Sequence, residues 1–442
     1  MSQQRRITIV GGGLAGPLLA CLLADDGNEV HILERRGDPR AAGYQGGRSI
    51  NLALSARGLQ ALDQVGLKRE VLATVVPMRG RMMHDTNGRM AFSPYSVIEG
   101  QAINSVSRGG LNCMLLDAAC SRSNVRVSFD VQIADINVET GSVTWTDADG
   151  VSAITEADLL VGADGAGSAV RAAMHAATPV DAGTEFVQSS YKELTIPAGP
   201  GGAWQLPEHA LHIWPRGHYM MIGLPNADGS FTCTCFWPTK GRDSFEEVAT
   251  PEAIVAFFKK NFADAVPLMP DLVEDYLANP VGPLGTVRCE QYHHGSTTVL
   301  IGDAAHAIVP FFGQGMNAAF QDCLRLAATL RDCADQGEAL AAYNHTQQPD
   351  GAAIAEFSLE NFIEMRDKTG SRIFRLRQRI GKQLNRLFPT WYVPRYNLVS
   401  FTTIPYAQVK RRTQRQQWWV LGMSLAFIAG VILMILWILG TI

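Results

Sequence analysis

The stretch from Arg5 to Arg36, RRITIVGGGLAGPLLACLLADDGNEVHILERR, limits what this chain can fold into more than any other part of it. A short β-branched run leads into three glycines, an apolar segment of helical length follows, and a second apolar run ends in an acid. That order predicts strand, tight turn, helix and strand. Gly11 permits the turn, Gly13 lets the backbone approach a pyrophosphate at the helix start, and Gly16 lets the helix pack closely on the strand. Glu34 is placed to accept from ribose hydroxyls, and its charge disfavours a 2′-phosphate, so the resident nucleotide is expected to be FAD or NAD rather than NADP. A bare G-x-G-x-x-G is weak evidence. Here the strand, the helix and the acid all arrive where a dinucleotide fold needs them.

Two later stretches bear on the choice of nucleotide. LLVGADGAGSAVR at 159–171 puts Asp164 and Gly165 after an apolar strand and ahead of a helix carrying Arg171. TTVLIGD at 297–303 delivers Asp303 at a strand end, and GQGMN at 313–317 then offers glycine-flanked N–H groups at a helix start. A carboxylate there can bind ribityl hydroxyls, and a helix N-terminus stabilises negative charge on a reduced flavin ring. The combination points to FAD.

At 442 residues and 47% apolar, the chain can bury a large core and is expected to form two or three domains. A formal net charge of -4 gives no basic field for nucleic acid. The eight cysteines are scattered without metal-ligand spacing, so we expect reduced thiols and no metal site. The start runs directly into a strand, and no secretory signal peptide is expected ahead of it. From Trp418 to Ile442 no ionisable side chain occurs, and the preceding KRRTQRQQ is basic. This predicts one C-terminal transmembrane helix with the catalytic body on the cytoplasmic side, on a bacterial inner or a mitochondrial outer membrane. The competing reading is a helix buried in the soluble body or at an oligomer interface.

The three motifs in this order resemble the single-component FAD aromatic hydroxylases, the group A flavoprotein monooxygenases. GRSINLALSARG at 47–58, MRGRM at 78–82, LHIWPRG at 211–217, GDAAHAIVPFFGQGMN at 302–317 and the apolar C-terminus narrow the resemblance to the members that hydroxylate kynurenine. The resemblance implies conversion of L-kynurenine to 3-hydroxykynurenine with NADPH and O2 through a flavin C4a-hydroperoxide, a step of tryptophan degradation that leads towards NAD. It implies that FAD carries the chemistry, so no side chain is assigned as catalytic. For the substrate it implies Arg81, Tyr95, Asn361 and Tyr406 around the amino-acid end, with Phe312 as a wall for the ring; ordinary core packing competes for Phe312. For the flavin it implies Leu14 with Gly11, Gly13 and Gly16 at the pyrophosphate, Glu34, Arg35, Arg36 and Ile133 on the adenosine side, and Arg108 at the phosphates. Ala53 would lie near the ring, with Asp164, Asp303, Gly315, Met316 and Asn317 completing the set. His306 invites a role as base but reads better as a satisfied structural histidine. No second glycine motif exists for NADPH, which fits a transient visitor.

The expected architecture is therefore α/β. A discontinuous Rossmann-like FAD-binding domain (1–75, 100–180 and 285–345) carries an inserted antiparallel sheet for the substrate (76–99 and 181–284). A helical region (346–415) and the membrane anchor (418–442) follow. The oligomeric state is not legible. Two other readings are a hydroxylase of a different aromatic compound and a non-catalytic flavin-bound membrane protein.

Overall fold

The computed structural model describes residues 4–42, 51–178, 182–364, 380–381 and 383–440, so the GRSI part of the 47–58 motif lies outside the described residues. Strand Arg6–Val10 is central in a six-stranded sheet, parallel to Glu29–Leu33 on one side and to Leu159–Gly162 on the other. Val125–Ser128 and Thr298–Leu300 continue the parallel array, and His293–His294 adds a short antiparallel edge. Strands covered on both faces read as unbroken apolar runs, which is why ITIV, LLVG and TVL are buried without alternation. Helices Ala15–Asp25 and Gly315–Asp332 pack against each other over this sheet.

The parallel order brings the separated motifs together. Gly11, Asp164 and Asp303 each follow the C-terminal end of a neighbouring strand. Backbone bonds tie those ends in series: Gly11 N to Leu33 O (2.8 Å), Ala163 N to Val10 O (2.8 Å) and Ile301 N to Gly162 O (3.0 Å). A crevice at the carboxyl ends of parallel strands is where such sheets bind ligands.

A seven-stranded sheet forms the second layer, in the order Gly282–Cys289, Ala182–Ile196, Phe231–Pro238, Met220–Pro225, Ala210–Pro215, Gly80–His84, Met90–Pro94. It corrects the expectation of a wholly antiparallel insertion. Ala210–Pro215 and Gly80–His84 run parallel, because the second comes from an upstream excursion of the chain and not from a hairpin. Strand Gly282–Cys289 pairs with Ala182–Ile196, so the expected boundary at 284/285 falls inside a strand. Val76–Met78 pairs instead with Ile103–Ser107, beside Asn51–Leu54, on the nucleotide side. One face of the large sheet buries Trp214, Phe231, Cys233, Cys235 and Trp237 under helices Pro251–Asn261 and Leu272–Ala278. Its other face turns Ile213, Met220 and Phe236 towards Val309, Phe311 and Phe362.

Helices Gln336–Ile363, Arg395–Phe401 and Tyr406–Gly440 lie in the C-terminal part, with a short helical turn over 383–387 ahead of the second. The last is long and apolar enough to cross a membrane; its most apolar 18-residue window has a mean hydropathy of 2.5 and is 0% buried.

Candidate active site

The glycine turn is built for close approach. Gly11 has φ +114°, and a Cβ there would stand 2.4 Å from the Ala163 carbonyl oxygen; one on Gly16 would stand 2.0 Å from the Gly11 oxygen. A Cβ on Gly13, by contrast, would meet nothing within 4 Å among the described residues. Gly13 therefore borders open space, not packed chain. Leu14 precedes helix Ala15–Asp25 with no side-chain cap, so among the described residues the first-turn N–H groups have no side-chain acceptor. Asn112 Nδ2 donates to both Gly12 O and Gly13 O at 3.0 Å, fixing the loop from helix Arg108–Cys120. Arg108 lies one turn before Asn112 on the same helix face, with no acidic partner within ion-pair distance among the described residues.

Glu34 accepts from Gly12 N (2.6 Å) and Arg36 N (2.9 Å), which holds its carboxylate at the rim of the turn. Arg35 and Arg36 are exposed there. Val131 N bonds Glu34 O at 3.0 Å, so strand Gln132–Asn137 with half-buried Ile133 begins beside the same rim. Asp164 is differently employed. Its oxygens accept from Ser168 Oγ (2.5 Å) and from Ala169 N (2.6 Å), so it caps helix Ala169–Ala177 and shapes the turn. Arg171 then reaches Ala304 O (2.6 Å) and Ala166 O (2.5 Å), coupling the second motif to the third.

On the far side of the crevice Asp303 is exposed, and its Oδ1 lies 3.9 Å from where a Cβ on Gly315 would be. Helix Gly315–Asp332 starts without a side-chain cap, leaving the N–H groups of Gly315 and Met316 directed outward. Asn317 is fully buried. Its Oδ1 accepts from Ser55 N (2.9 Å) and its Nδ2 donates to Ala53 O (2.8 Å) and Gly313 O (3.0 Å). Asn317 thus seats strand Asn51–Leu54 on the glycine turn, where a Cβ on Gly313 would stand 3.0 Å from that of Ala53. His306 is satisfied as expected of a structural histidine. It bonds Asp322 at 2.6 Å, and Asp322 also accepts from Gly302 N and Gln347 Nε2 (both 2.7 Å). Burial alone would lower its pKa, but the Asp322 carboxylate raises it.

Arg81 on strand Gly80–His84 sits between two aromatic rings. Its guanidinium carbon is 4.6 Å from the Tyr396 ring centre and 5.6 Å from that of Tyr95, and the two tyrosines stack at 5.1 Å. Its Nε is shielded and has no hydrogen-bond partner, and no acidic side chain lies within ion-pair distance among the described residues. Burial opposes its charge, yet the Tyr396 and Tyr95 hydroxyls leave its pKa raised overall. Tyr95 is itself pushed well above the usual phenol range, by burial first and then by Tyr396. Phe312 stacks on Tyr396 at 5.5 Å, and Asn361 Nδ2 donates to Phe311 O at 2.6 Å from helix Gln336–Ile363.

The placement of Tyr406 in this group is corrected. Its hydroxyl donates to Gln314 Oε1 (2.9 Å), and its ring lies 3.9 Å beneath the Arg57 guanidinium carbon, behind the glycine turn. Tyr396, on helix Arg395–Phe401, occupies the position by Arg81. Both tyrosines closely follow a proline, Pro394 or Pro405, so local sequence does not say which reaches across. Asn112 was also missed, although its place four residues after Arg108 in RGGLN was a usable signal.

A strand-end crevice, an open glycine turn and uncapped helix starts define a nucleotide-binding protein, and residues 4–358 match the model of the FAD binding domain family. The chain is 46% identical to kynurenine 3-monooxygenase of Myxococcus xanthus (strain DK1622) over 409 residues, 92% of this chain and 88% of that one. It is 44% identical to the enzyme of the same name from Stenotrophomonas maltophilia (strain K279a), covering 93% and 91%. Among solved structures, the fold is shared with 2-methyl-3-hydroxypyridine-5-carboxylic acid oxygenase (TM-score 0.68, 20% identity, 83% of this chain and 94% of that one). It is also shared with P. aeruginosa PqsL in complex with 2-aminobenzoylacetate (TM-score 0.67, 20% identity, 83% and 97%). The chain belongs to the kynurenine 3-monooxygenase family.

Proposed function

We propose that this protein is an FAD-dependent monooxygenase that hydroxylates L-kynurenine to 3-hydroxykynurenine with NADPH and O2. The observation that carries the substrate is Arg81: a shielded cation, unpaired at Nε and lacking an acid among the described residues, beside stacked aromatic rings. A burial this costly is offset when an anionic ligand arrives, and an aromatic amino acid supplies both the carboxylate and the ring.

FAD, held in the crevice and reduced by NADPH, supplies the activation of O2 and the transfer of one oxygen atom to the ring. The chain's own residues bind, orient and keep water out. The open turn of Gly11, Gly13, Leu14 and Gly16 takes the pyrophosphate, with Arg108 alongside. Glu34, Arg35, Arg36 and Ile133 border the adenosine, and Asp164 acts on the turn indirectly as a cap. Asp303 offers an acceptor to the ribityl hydroxyls, while Ala53, Gly315, Met316 and Asn317 present backbone to the ring. Arg81 grips the substrate carboxylate with Tyr95, whose raised pKa keeps it a proton donor at neutral pH. Tyr396 and Phe312 flank the aniline ring, and Asn361 holds the Phe311 turn that backs them. An aniline is electron-rich enough to react without a protein base, which agrees with His306 being spent on Asp322. Helix Tyr406–Gly440 anchors the body to a membrane, with Lys410 to Arg415 on the cytoplasmic side.

The test is NADPH oxidation by the purified full chain with and without L-kynurenine, following 3-hydroxykynurenine and peroxide. Stimulated oxidation with equimolar product supports the reading. Stimulation that yields peroxide alone means the site accepts kynurenine without hydroxylating it.

A further inference from the structure

Just ahead of the long C-terminal helix, the chain makes a small turn with its apolar side chains facing outward. Leu387, Phe388 and Trp391 are 68%, 53% and 40% exposed, and the Phe388 and Trp391 rings meet edge to face at 6.3 Å. The turn is internally bonded: Phe388 N to Leu384 O (2.8 Å), Trp391 N and Tyr392 N to Phe388 O (3.2 and 2.9 Å), and Asn385 Nδ2 to Tyr392 O (2.7 Å). Arg412 Nη2 donates to Thr390 O (3.0 Å) and Gln416 Nε2 to Trp391 O (3.1 Å), so the turn leans on the helix where the basic segment ends. Trp418 and Trp419 follow Gln416 by two and three residues, a rise of only about 3–5 Å along the axis. The exposed aromatics of the turn and the first tryptophans of the apolar run therefore lie at nearly one level. From Ile380 to the chain end the sequence has no Asp or Glu, whereas exposed Arg386 adjoins the turn and Arg411, Arg412 and Arg415 lie within seven residues ahead of Trp418.

We propose that the turn from Leu387 to Tyr392 is a second membrane contact, seated in the headgroup interface of an anionic bilayer beside the anchor. This rests on the reading of helix Tyr406–Gly440 as the anchor. Indole and phenyl rings favour that interface, a turn with its backbone bonded internally enters it at little cost, and the nearby arginines face anionic lipid. A second contact fixes the rotation of the body about the anchor helix, which a single helix crossing the bilayer does not. Tyr396 begins only five residues beyond Trp391, on a helix tied to Gln336–Ile363 by the Arg395–Glu360 ion pair. The bilayer contact thus braces the element that lays Tyr396 over Arg81.

The full chain is placed in nanodiscs of phosphatidylcholine with or without phosphatidylglycerol, each containing a phospholipid with a diazirine near the glycerol, and cross-linked peptides are mapped. The expected result is adducts on both 387–391 and 418–437, with those on 387–391 several-fold more abundant in anionic discs. Arg386→Glu should lower labelling of 387–391 in anionic discs and leave 418–437 unchanged. Adducts confined to 418–437 would overturn the second contact while keeping the anchor. Absence of adducts from 418–437 would overturn the anchor reading itself, and the proposal with it.

Discussion

Arg81 is costly to keep where it is, and that cost predicts its behaviour on substitution. Arg81→Met removes a shielded cation whose Nε has no partner, so thermal stability should hold or rise, while KM for kynurenine increases by about 10- to 100-fold from the loss of charge-assisted bonds. A purely structural arginine would instead lose stability and leave KM alone. Tyr396→Phe and Tyr406→Phe separate the two tyrosines. The first should raise KM for kynurenine by up to ~10-fold with FAD content unchanged. The second loses its bond to Gln314 behind the glycine turn, worth about 1 kcal/mol, and should weaken FAD retention with little change in KM. Arg81 comes from the resemblance through the MRGRM motif; its neighbours alone, with Arg79 two residues away, read better as a surface arginine. Choosing Tyr396 over Tyr406 needed tertiary structure, since nothing within either proline-led segment encodes the distant strand it faces.

At the scale of elements, the three nucleotide motifs were legible because each carries its own local chemistry: an apolar strand, a turn residue, a helix start. Their convergence followed from the parallel order alone. The register of the second sheet was not legible, since the parallel partner of Ala210–Pro215 lies far upstream. Two glycines of the first turn should separate packing from binding. Gly16→Ala forces a Cβ against the Gly11 carbonyl and should destabilise the chain whether or not FAD is bound; Gly13→Ala should leave the FAD-free protein's melting unchanged and weaken FAD binding roughly tenfold or more, read by fluorescence titration. The second sheet holds a different device. Asp264 Oδ2 meets His84 Nδ1 (2.8 Å), His84 Nε2 meets His212 Nδ1 (2.9 Å), and His212 Nε2 meets Pro207 O (2.8 Å). Asp264 and the Pro207 carbonyl can only accept, so His84 donates from Nδ1 and His212 from Nε2. Protonation of His212 is resisted: burial pushes it down to about 4, opposed by the Pro207 carbonyl and aided by the neighbouring His84. An unfolded histidine protonates near pH 6.5, so the unfolded chain binds more protons between the two values, and stability falls as pH drops from about 6.5 to 4. The loss should be roughly 3 kcal/mol, at about 1.4 kcal/mol per unit. Urea unfolding across this range should show it, with a shallower slope for His212→Gln.

Across the whole molecule, the C-terminal helix does two jobs that divide near Trp418. Before that point it is part of the body. Tyr406 and Val409 are buried with Phe312, Phe357 and Leu398, Ala407 N donates to Asp350 Oδ1 (2.9 Å), and the Tyr406 ring covers fully buried Arg57. Arg57 in turn donates to Val399 O and Gln321 Oε1 (both 3.1 Å), joining the helix that carries Tyr396 to the helix that starts at the glycine turn. Beyond Trp418 the helix touches little of the protein and is exposed along its length. Two truncations should therefore behave oppositely. A chain ending at Gln417 should dissolve without detergent and keep its FAD content and turnover. A chain ending at Pro405 strips the cover from Arg57, Gln314 and Asp350 at once, a loss of about 3–5 kcal/mol by analogy with removing a buried aromatic alone. With the cover gone, the helix bearing Tyr396 loses its brace and water gains access to the crevice. In a site open to water, O2 reduced by a bound flavin would leave as peroxide instead of delivering an oxygen atom to the ring. The ratio of peroxide to 3-hydroxykynurenine, measured with saturating kynurenine, should rise several-fold for the shorter chain and stay at the full-length value for the longer one; equal ratios would mean that the C-terminal helix does not help to close the site.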